Sequence, residues 1–199
     1  MKSEEFNRYL SNHEIGVFSL KDAARILGKP RHYTVVFLAR ANYIDSAERG
    51  LYYLHGTNEY QVASNVVYPS YVSLISALRF HNLTEQIPHI IYVLSYKRHR
   101  RISDLNGYEV EFRVIKKELM YGYSKIDDVF VASPEKAVVD MLYLNEFTEY
   151  AEELVESGKV RGEVLREYAA RTGRKSVISK VGRIIRQQEE VKPNGREYD

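Results

Sequence analysis

Between Ser19 and Pro30 the chain carries a helix start, a helix stop and a second helix start within twelve residues, which leaves room only for two helices joined by a tight turn. Ser19 precedes the run Leu20-Lys-Asp-Ala-Ala-Arg-Ile-Leu, and Asp22 follows three residues after it. Hydroxyl and carboxylate are thereby placed to satisfy orphan N–H groups at the positive end of a helix. Leu20, Ala23, Ala24 and Leu27 share one face, and Gly28 supplies a backbone able to turn sharply. Pro30 suits the first turn of the next helix, where its missing N–H has no intrahelical partner anyway. That helix is expected over residues 30–41, with Val35, Leu38 and Ala41 inward and Thr34 or Phe37 at the flanks of the stripe.

The surrounding pattern completes a recognisable order. Phe6, Tyr9 and Leu10 are at helical spacing within residues 4–12. After the second helix, Tyr43-Ile-Asp-Ser and Leu51-Tyr-Tyr-Leu flank a turn around Ala47-Glu-Arg-Gly50, the mark of a β-hairpin. Helix, helix, Gly turn, helix, hairpin is the order of a winged helix-turn-helix. In such a module the recognition helix enters the major groove N-terminus first. The residues at that end are Lys29, Arg31, His32, Tyr33 and Thr34, with Arg40 further along the solvent face and Arg49 at the hairpin tip. These seven are the candidate DNA-binding residues; ordinary exposure on a protein-interaction module is the competing explanation for them.

Composition sets bounds on the rest. The chain has 199 residues, 29 Lys+Arg, 27 Asp+Glu and no cysteine. A disulfide framework and a thiolate metal site are therefore excluded. No uncharged stretch approaches the ~20 apolar residues of a membrane span. The opening Met1-Lys-Ser-Glu-Glu-Phe lacks an apolar signal core, so a cytoplasmic protein is expected. A net charge of +2 announces no nucleic-acid binder by itself, and the distribution matters more. Glu146, Glu149, Glu152, Glu153 and Glu156 form an acidic block. From Lys159 to Arg186 follow nine basic residues against Glu163 and Glu167. Around them Val160, Val164, Leu165 and Tyr168, then Val177 or Ile178, Val181, Ile184 and Ile185, form two helical stripes. These C-terminal helices are read as a cover for the core, with a basic partner surface as the alternative.

From Glu59 the pattern changes to mixed α/β. Residues 71–82 read as a helix with Leu74, Ala77 and Leu78 inward, and Ile90-Ile-Tyr-Val-Leu-Ser as a buried strand. Asp104-Leu-Asn-Gly-Tyr centres on an Asn-Gly turn, and Glu109-Val-Glu-Phe-Arg-Val-Ile alternates as a half-exposed strand does. Val129-Phe-Val-Ala is a further short strand, and Ser133-Pro-Glu-Lys opens a helix with an N-cap serine and Pro at N1. Three stretches, Arg49-Gly-Leu-Tyr-Tyr-Leu, Tyr71-Val-Ser-Leu-Ile-Ser-Ala-Leu and Ser133-Pro-Glu-Lys-Ala-Val-Val-Asp, give residues 15–145 a resemblance to the AbiEi family. That family is the antitoxin and transcriptional-regulator half of type IV toxin–antitoxin systems. The resemblance implies an α+β protein: a winged helix-turn-helix over residues 1–56, then an α/β antitoxin domain with C-terminal helices over residues 60–199. It further implies binding to double-stranded DNA at repeats in the protein's own promoter, repression of its own operon, and pairing with a nucleotidyltransferase-like toxin.

The alternative is a nuclease-like enzyme targeted by the winged helix. Glu109, Glu111 and Arg113 share a strand face with Asp104 upstream, and two carboxylates can hold Mg²⁺ for phosphodiester cleavage. Against it, the six His at 13, 32, 55, 81, 89 and 99 have no metal-ligand spacing, and no Gly-rich phosphate loop is present. No catalytic residue, metal or cofactor is expected. Lys136 and Asp140, at i,i+4, are expected to form a surface ion pair.

Overall fold

A computed structural model describes residues 1–86 and 89–191; the last eight residues of the expected 60–199 segment lie outside the described residues. The first part holds helices α1 (Ser3–Asn12), α2 (Leu20–Leu27) and α3 (Arg31–Arg40) and strands β1 (Val17–Ser19), β2 (Ile44–Glu48) and β3 (Leu51–Leu54). The strands form an antiparallel sheet in the order β1-β3-β2. The expected hairpin is β2–β3, with a bulge between Ser46 and Glu48 that turns its tip. Strand β1 was invisible in the sequence pattern, being three residues long with only Phe18 buried.

The α2–α3 corner forms as its residues dictate. Ser19 Oγ accepts from the Asp22 amide, and the Asp22 carboxylate accepts in return from the Ser19 amide and hydroxyl, a complete capping box. Gly28 takes the left-handed conformation (φ 62°, ψ 35°), and the Lys29 amide returns to the Ala24 carbonyl. Pro30 is the N-cap of α3, one residue before the expected N1 position, and its carbonyl accepts from the Thr34 amide. A small core gathers Phe6, Leu10, Phe18, Leu20, Ala23, Leu27, Leu38, Ala41 and Ile44. Phe6 sits edge-on to Phe18 and Phe37, at 6.0 and 5.5 Å between centroids.

The remainder contains α4 (Glu59–Asn65), β4 (Tyr71–Val72), α5 (Leu74–Phe80), β5 (Ile90–Ser95), β6 (Ile102–Leu105), β7 (Tyr108–Val114), a 3₁₀ turn (Lys117–Leu119), β8 (Tyr123–Ile126) and β9 (Val129–Ala132). Helices α6 (Pro134–Leu144), α7 (Thr148–Glu156), α8 (Gly162–Arg171) and α9 (Lys175–Val191) follow. Its sheet is mixed, ordered β6-β7-β5-β4-β9-β8, with parallel neighbours β5/β7 and β4/β9. Helix α6 lies at the centre and packs on α5, α7, α8, α9 and β9. Among the described residues no helix is long and apolar enough to cross a membrane.

Two expectations need correction. Residues 71–82 are not one helix: Tyr71 and Val72 form β4, and Ser73 breaks the backbone before α5 begins at Leu74, which has φ 54°. The Lys136–Asp140 pair is not on the surface. Its side chains are 1% and 2% exposed, because α6 is apolar nearly all round and lies inside the molecule. Ser133 does cap α6 by accepting from the Lys136 amide, as expected.

Candidate nucleic-acid interface

The capped α2 and the left-handed Gly28 fix where α3 starts, and that start presents Lys29, Arg31, His32 and Tyr33 to solvent. Lys29 Nζ lies 5.6 Å from the Tyr33 ring centre, and the Tyr33 ring stacks on Phe37 at 6.4 Å between centroids. Among the described residues none of Lys29, Arg31, Arg40 and Arg49 makes a salt bridge, and α3 has no acidic residue in its first turn. The open first-turn N–H groups add their partial positive charge to these cations.

Thr34 does not belong to this surface. It is fully buried, and its hydroxyl donates to the Pro30 carbonyl at 3.1 Å, so it locks the first turn of α3 instead of facing a ligand. Val35, expected inside, is 41% exposed, and Val36 is 49% exposed. The helix is rotated relative to the expected stripe because its apolar residues are spread around the whole circumference, so periodicity gave no single answer. The exposed face therefore reads Arg31, His32, Val35, Val36, Ala39 and Arg40, with methyl groups between the cations. Such a face offers hydrogen bonds to guanine edges and apolar contact to thymine methyls.

Arg40 is set apart. It lies on the last turn of α3, about 13 Å along the axis from Arg31, beside a shallow depression lined with Ser3, Tyr33, Val36 and Phe37. Arg49 stands exposed at the hairpin tip, whose position is tied to α2 by the bond from the Leu20 amide to the Gly50 carbonyl at 2.8 Å. Ser46 Oγ braces the bulge by donating to the Glu48 carbonyl at 2.8 Å.

The carboxylates of the enzyme alternative are engaged elsewhere. Glu109 pairs with Arg101 and Glu111 with Arg113, both at 2.7 Å, and Arg113 also reaches Glu146 at 2.9 Å. Asp104 accepts from the Gly107 amide and shapes the Asn-Gly turn. Among the described residues no group of three or more His, Asp or Glu is placed to hold a metal ion. Most of the C-terminal basic block is engaged by partners within its own chain. Glu152 receives Lys180 at 2.9 Å and Arg183 at 3.7 Å, Arg166 meets Glu189, and Arg161 meets Glu135. Arg171 and Arg174 lie over the rings of Tyr121 and Tyr143.

A second polar cluster, of which the sequence pattern offered only the Lys136–Asp140 pair, sits under β4. Asp140 receives Lys136 Nζ, the Tyr71 hydroxyl at 3.0 Å and the Ser73 hydroxyl at 2.8 Å. Burial pushes the Asp140 carboxyl above its ordinary value, against the pull of Lys136, Ser73 and Tyr71. Burial, then the Asp140 charge, lifts the Tyr121 hydroxyl to about 12. Lys136 Nζ lies 4.6 Å from the Tyr121 ring centre and is enclosed on every side. Each member is satisfied by another, so the cluster is a core staple with no opening for a ligand. No protein-family model and no curated protein matches the chain.

Proposed function

We propose that this protein is a DNA-binding transcriptional autorepressor and the antitoxin of a type IV toxin–antitoxin pair. In this reading α2, α3 and the β2–β3 hairpin act as a winged helix-turn-helix, with α3 in the major groove of repeats in the protein's own promoter. The observation that carries it is the set of exposed cations Lys29, Arg31 and Arg49, without a salt bridge among the described residues, at the open end of α3 and on the hairpin tip. The β1-β3-β2 sheet that holds the hairpin beside the start of α2 supports the same reading. Arg31 is the base reader, His32 and Tyr33 flank it, and Lys29 and Arg49 meet phosphates. The antitoxin role rests on the resemblance carried by the Tyr71 and Ser133 stretches, and its partner is a nucleotidyltransferase-like toxin.

Mobility-shift titration on DNA upstream of the gene tests this. Arg31→Ala is expected to cost roughly 1–3 kcal/mol on the promoter repeats. Lys29→Ala should weaken all duplexes about equally and lower the salt slope by about one. An Arg31→Ala titration that matches wild type overturns the assignment of that residue, and wild type that binds no duplex overturns the reading. For the antitoxin half, a nucleotidyltransferase-like frame is expected beside the gene; co-expression should restore the growth that its product alone arrests, and absence of such a frame or failure to restore growth removes that half.

A further inference from the structure

Strand β2 carries two acids, Asp45 and Glu48, and the fold sets a histidine against each. His55 Nε2 lies 3.0 Å from an Asp45 carboxylate oxygen, and His99 Nε2 lies 3.2 Å from a Glu48 carboxylate oxygen. The two rings come from different places. His55 directly follows β3, whereas His99 belongs to the connection from β5 to β6. Glu48 ends β2 and is followed by Arg49 at the hairpin tip. With neutral rings, residues 44–55 hold two carboxylates against the single cation Arg49.

Both pairs are built into the hairpin's attachment. The His55 amide donates to the Tyr43 carbonyl at 3.0 Å, which closes the open end of the hairpin. His99 packs on the Phe112 ring of β7, and its Nδ1 lies 2.7 Å from the Arg100 carbonyl. That carbonyl and the Glu48 carboxylate can only accept, so His99 fills both contacts with a proton on each nitrogen, as an imidazolium. The hairpin lies along β6, and the Tyr53 hydroxyl donates to Asn106 at 3.1 Å. Burial, then Asp45, Glu59 and Asp104, raises the Tyr53 hydroxyl above its ordinary value, which marks Glu59 and Asp104 as the further acids of this junction. His99 has Arg98, Arg100 and Arg101 as neighbours in the chain, and Arg101 pairs with Glu109 of β7 at 2.7 Å.

We infer that His55 and His99 form a protonation switch on the hairpin's contact with DNA. Histidine takes on its charge as pH falls from about 8 to 5. Charged, the two rings hold Asp45 and Glu48, and Arg49 meets the phosphates unopposed. Neutral, they leave two carboxylates beside Arg49, which repel the DNA backbone and compete with it for that cation. The β2–β3 ladder is made by the backbone, so the hairpin persists in both states and its charge is what changes. Two unit charges about 8 Å from phosphates in water are worth a roughly fivefold change in affinity. The inference rests on the DNA-binding reading above and adds a pH dependence to it.

Fluorescence anisotropy of the full chain at pH 6 and pH 8 in 50 mM salt, on a 40-bp duplex from upstream of its gene, tests it. Wild type should bind more tightly at pH 6. In the variant carrying His55→Gln and His99→Gln the gain on acidification should be about fivefold smaller. His32 of α3 is kept in both proteins, so its own contribution cancels in that comparison. The variant carrying Asp45→Asn and Glu48→Gln tests the switch independently of the two rings. It should bind about fivefold more tightly than wild type at pH 8 and show the same reduced gain. An unchanged thermal melt at each pH is the control for folding. If wild type and Arg31→Ala differ as expected but all these proteins share one pH response, the switch is refuted and the DNA-binding reading stands. If wild type binds the duplex at neither pH, both fall.

Discussion

In the first fifty-odd residues the charged groups stand around a small apolar core, whereas in the rest of the molecule a lysine and an aspartate sit inside the core itself. Lys29 and Lys136 show what the difference does. Lys29 keeps its hydration and is available to any anion that approaches α3. Lys136 has exchanged water for Asp140 and for the faces of Tyr71 and Tyr121, and it is available to nothing outside the protein. A cation on the rim of a fold contributes little to its stability and much to recognition. A cation at the centre contributes to neither unless its partner is present, because the cost of an uncompensated buried charge is large.

The contrast is broken most severely by Asp140→Ala, which leaves Lys136 Nζ and the Tyr71 and Ser73 hydroxyls without their acceptor. Urea unfolding should show a loss of about 3–5 kcal/mol, and the double change Lys136→Met with Asp140→Leu should recover most of it. Gly122→Ala comes next. Gly122 has φ 70°, and an added Cβ would meet the Tyr168 ring at 2.8 Å and Lys136 Cβ at 3.1 Å. We expect a loss of about 1–3 kcal/mol in the same assay, from strain and overpacking against the staple.

Smaller effects belong to the first region. Ser19→Ala removes the capping hydroxyl of α2 and should cost about 1 kcal/mol. The Ser19 hydroxyl is also the main reason the Asp22 carboxyl lies below its ordinary value, with Arg25 helping. A carboxyl depressed on folding stabilises above its unfolded value, and that stabilisation disappears as pH falls through the folded one. An NMR titration of Asp22 should therefore move upward in Ser19→Ala, and the variant should lose less stability than wild type between neutral pH and acid below the ordinary carboxylate range. Smallest of all is Arg31→Ala, whose effect on thermal unfolding should stay within about 0.5 kcal/mol. Exposed and unpaired, Arg31 holds nothing in place.

What could be read in advance follows the same division. Ser19, Asp22, Gly28 and Ser133 act through a few neighbouring backbone groups, so their spacing alone located α2, the turn and α6. The hairpin was legible because Gly50 and two short β-rich runs are local signals too. Thr34 and Val35 were exchanged because α3 has apolar residues on every side, and only packing into the cluster of Phe6, Leu27 and Leu38 settles which ones go in. Strand β4, two residues long and buried on both faces, has no period to detect. Lys136 and Asp140 had the spacing of a surface pair. The signal that places them inside is the company they keep, since Ala137, Val138, Val139, Met141 and Leu142 leave α6 no polar face for solvent. The basic run at 97–101 went unread, and only the fold brings His99 beside Glu48.

The hairpin that lies along β6 has a further consequence, for solubility. Strand β6 ends one side of the six-stranded sheet, and an uncovered edge of that kind is a template for pairing with another chain. The opposite edge, β8, is guarded by the exposed Lys125 and by the left-handed turn at Asp127 and Asp128, which ends the strand abruptly. On the β6 side the guard is supplied by residues 44–54, through Tyr53 on Asn106 and Glu48 on His99. Residues 44–54 thus stand beside an edge that no other strand of the sheet pairs. A chain trimmed to begin at residue 60 should sediment as soluble oligomers or precipitate, unless a charged residue is introduced on β6 to take the hairpin's place.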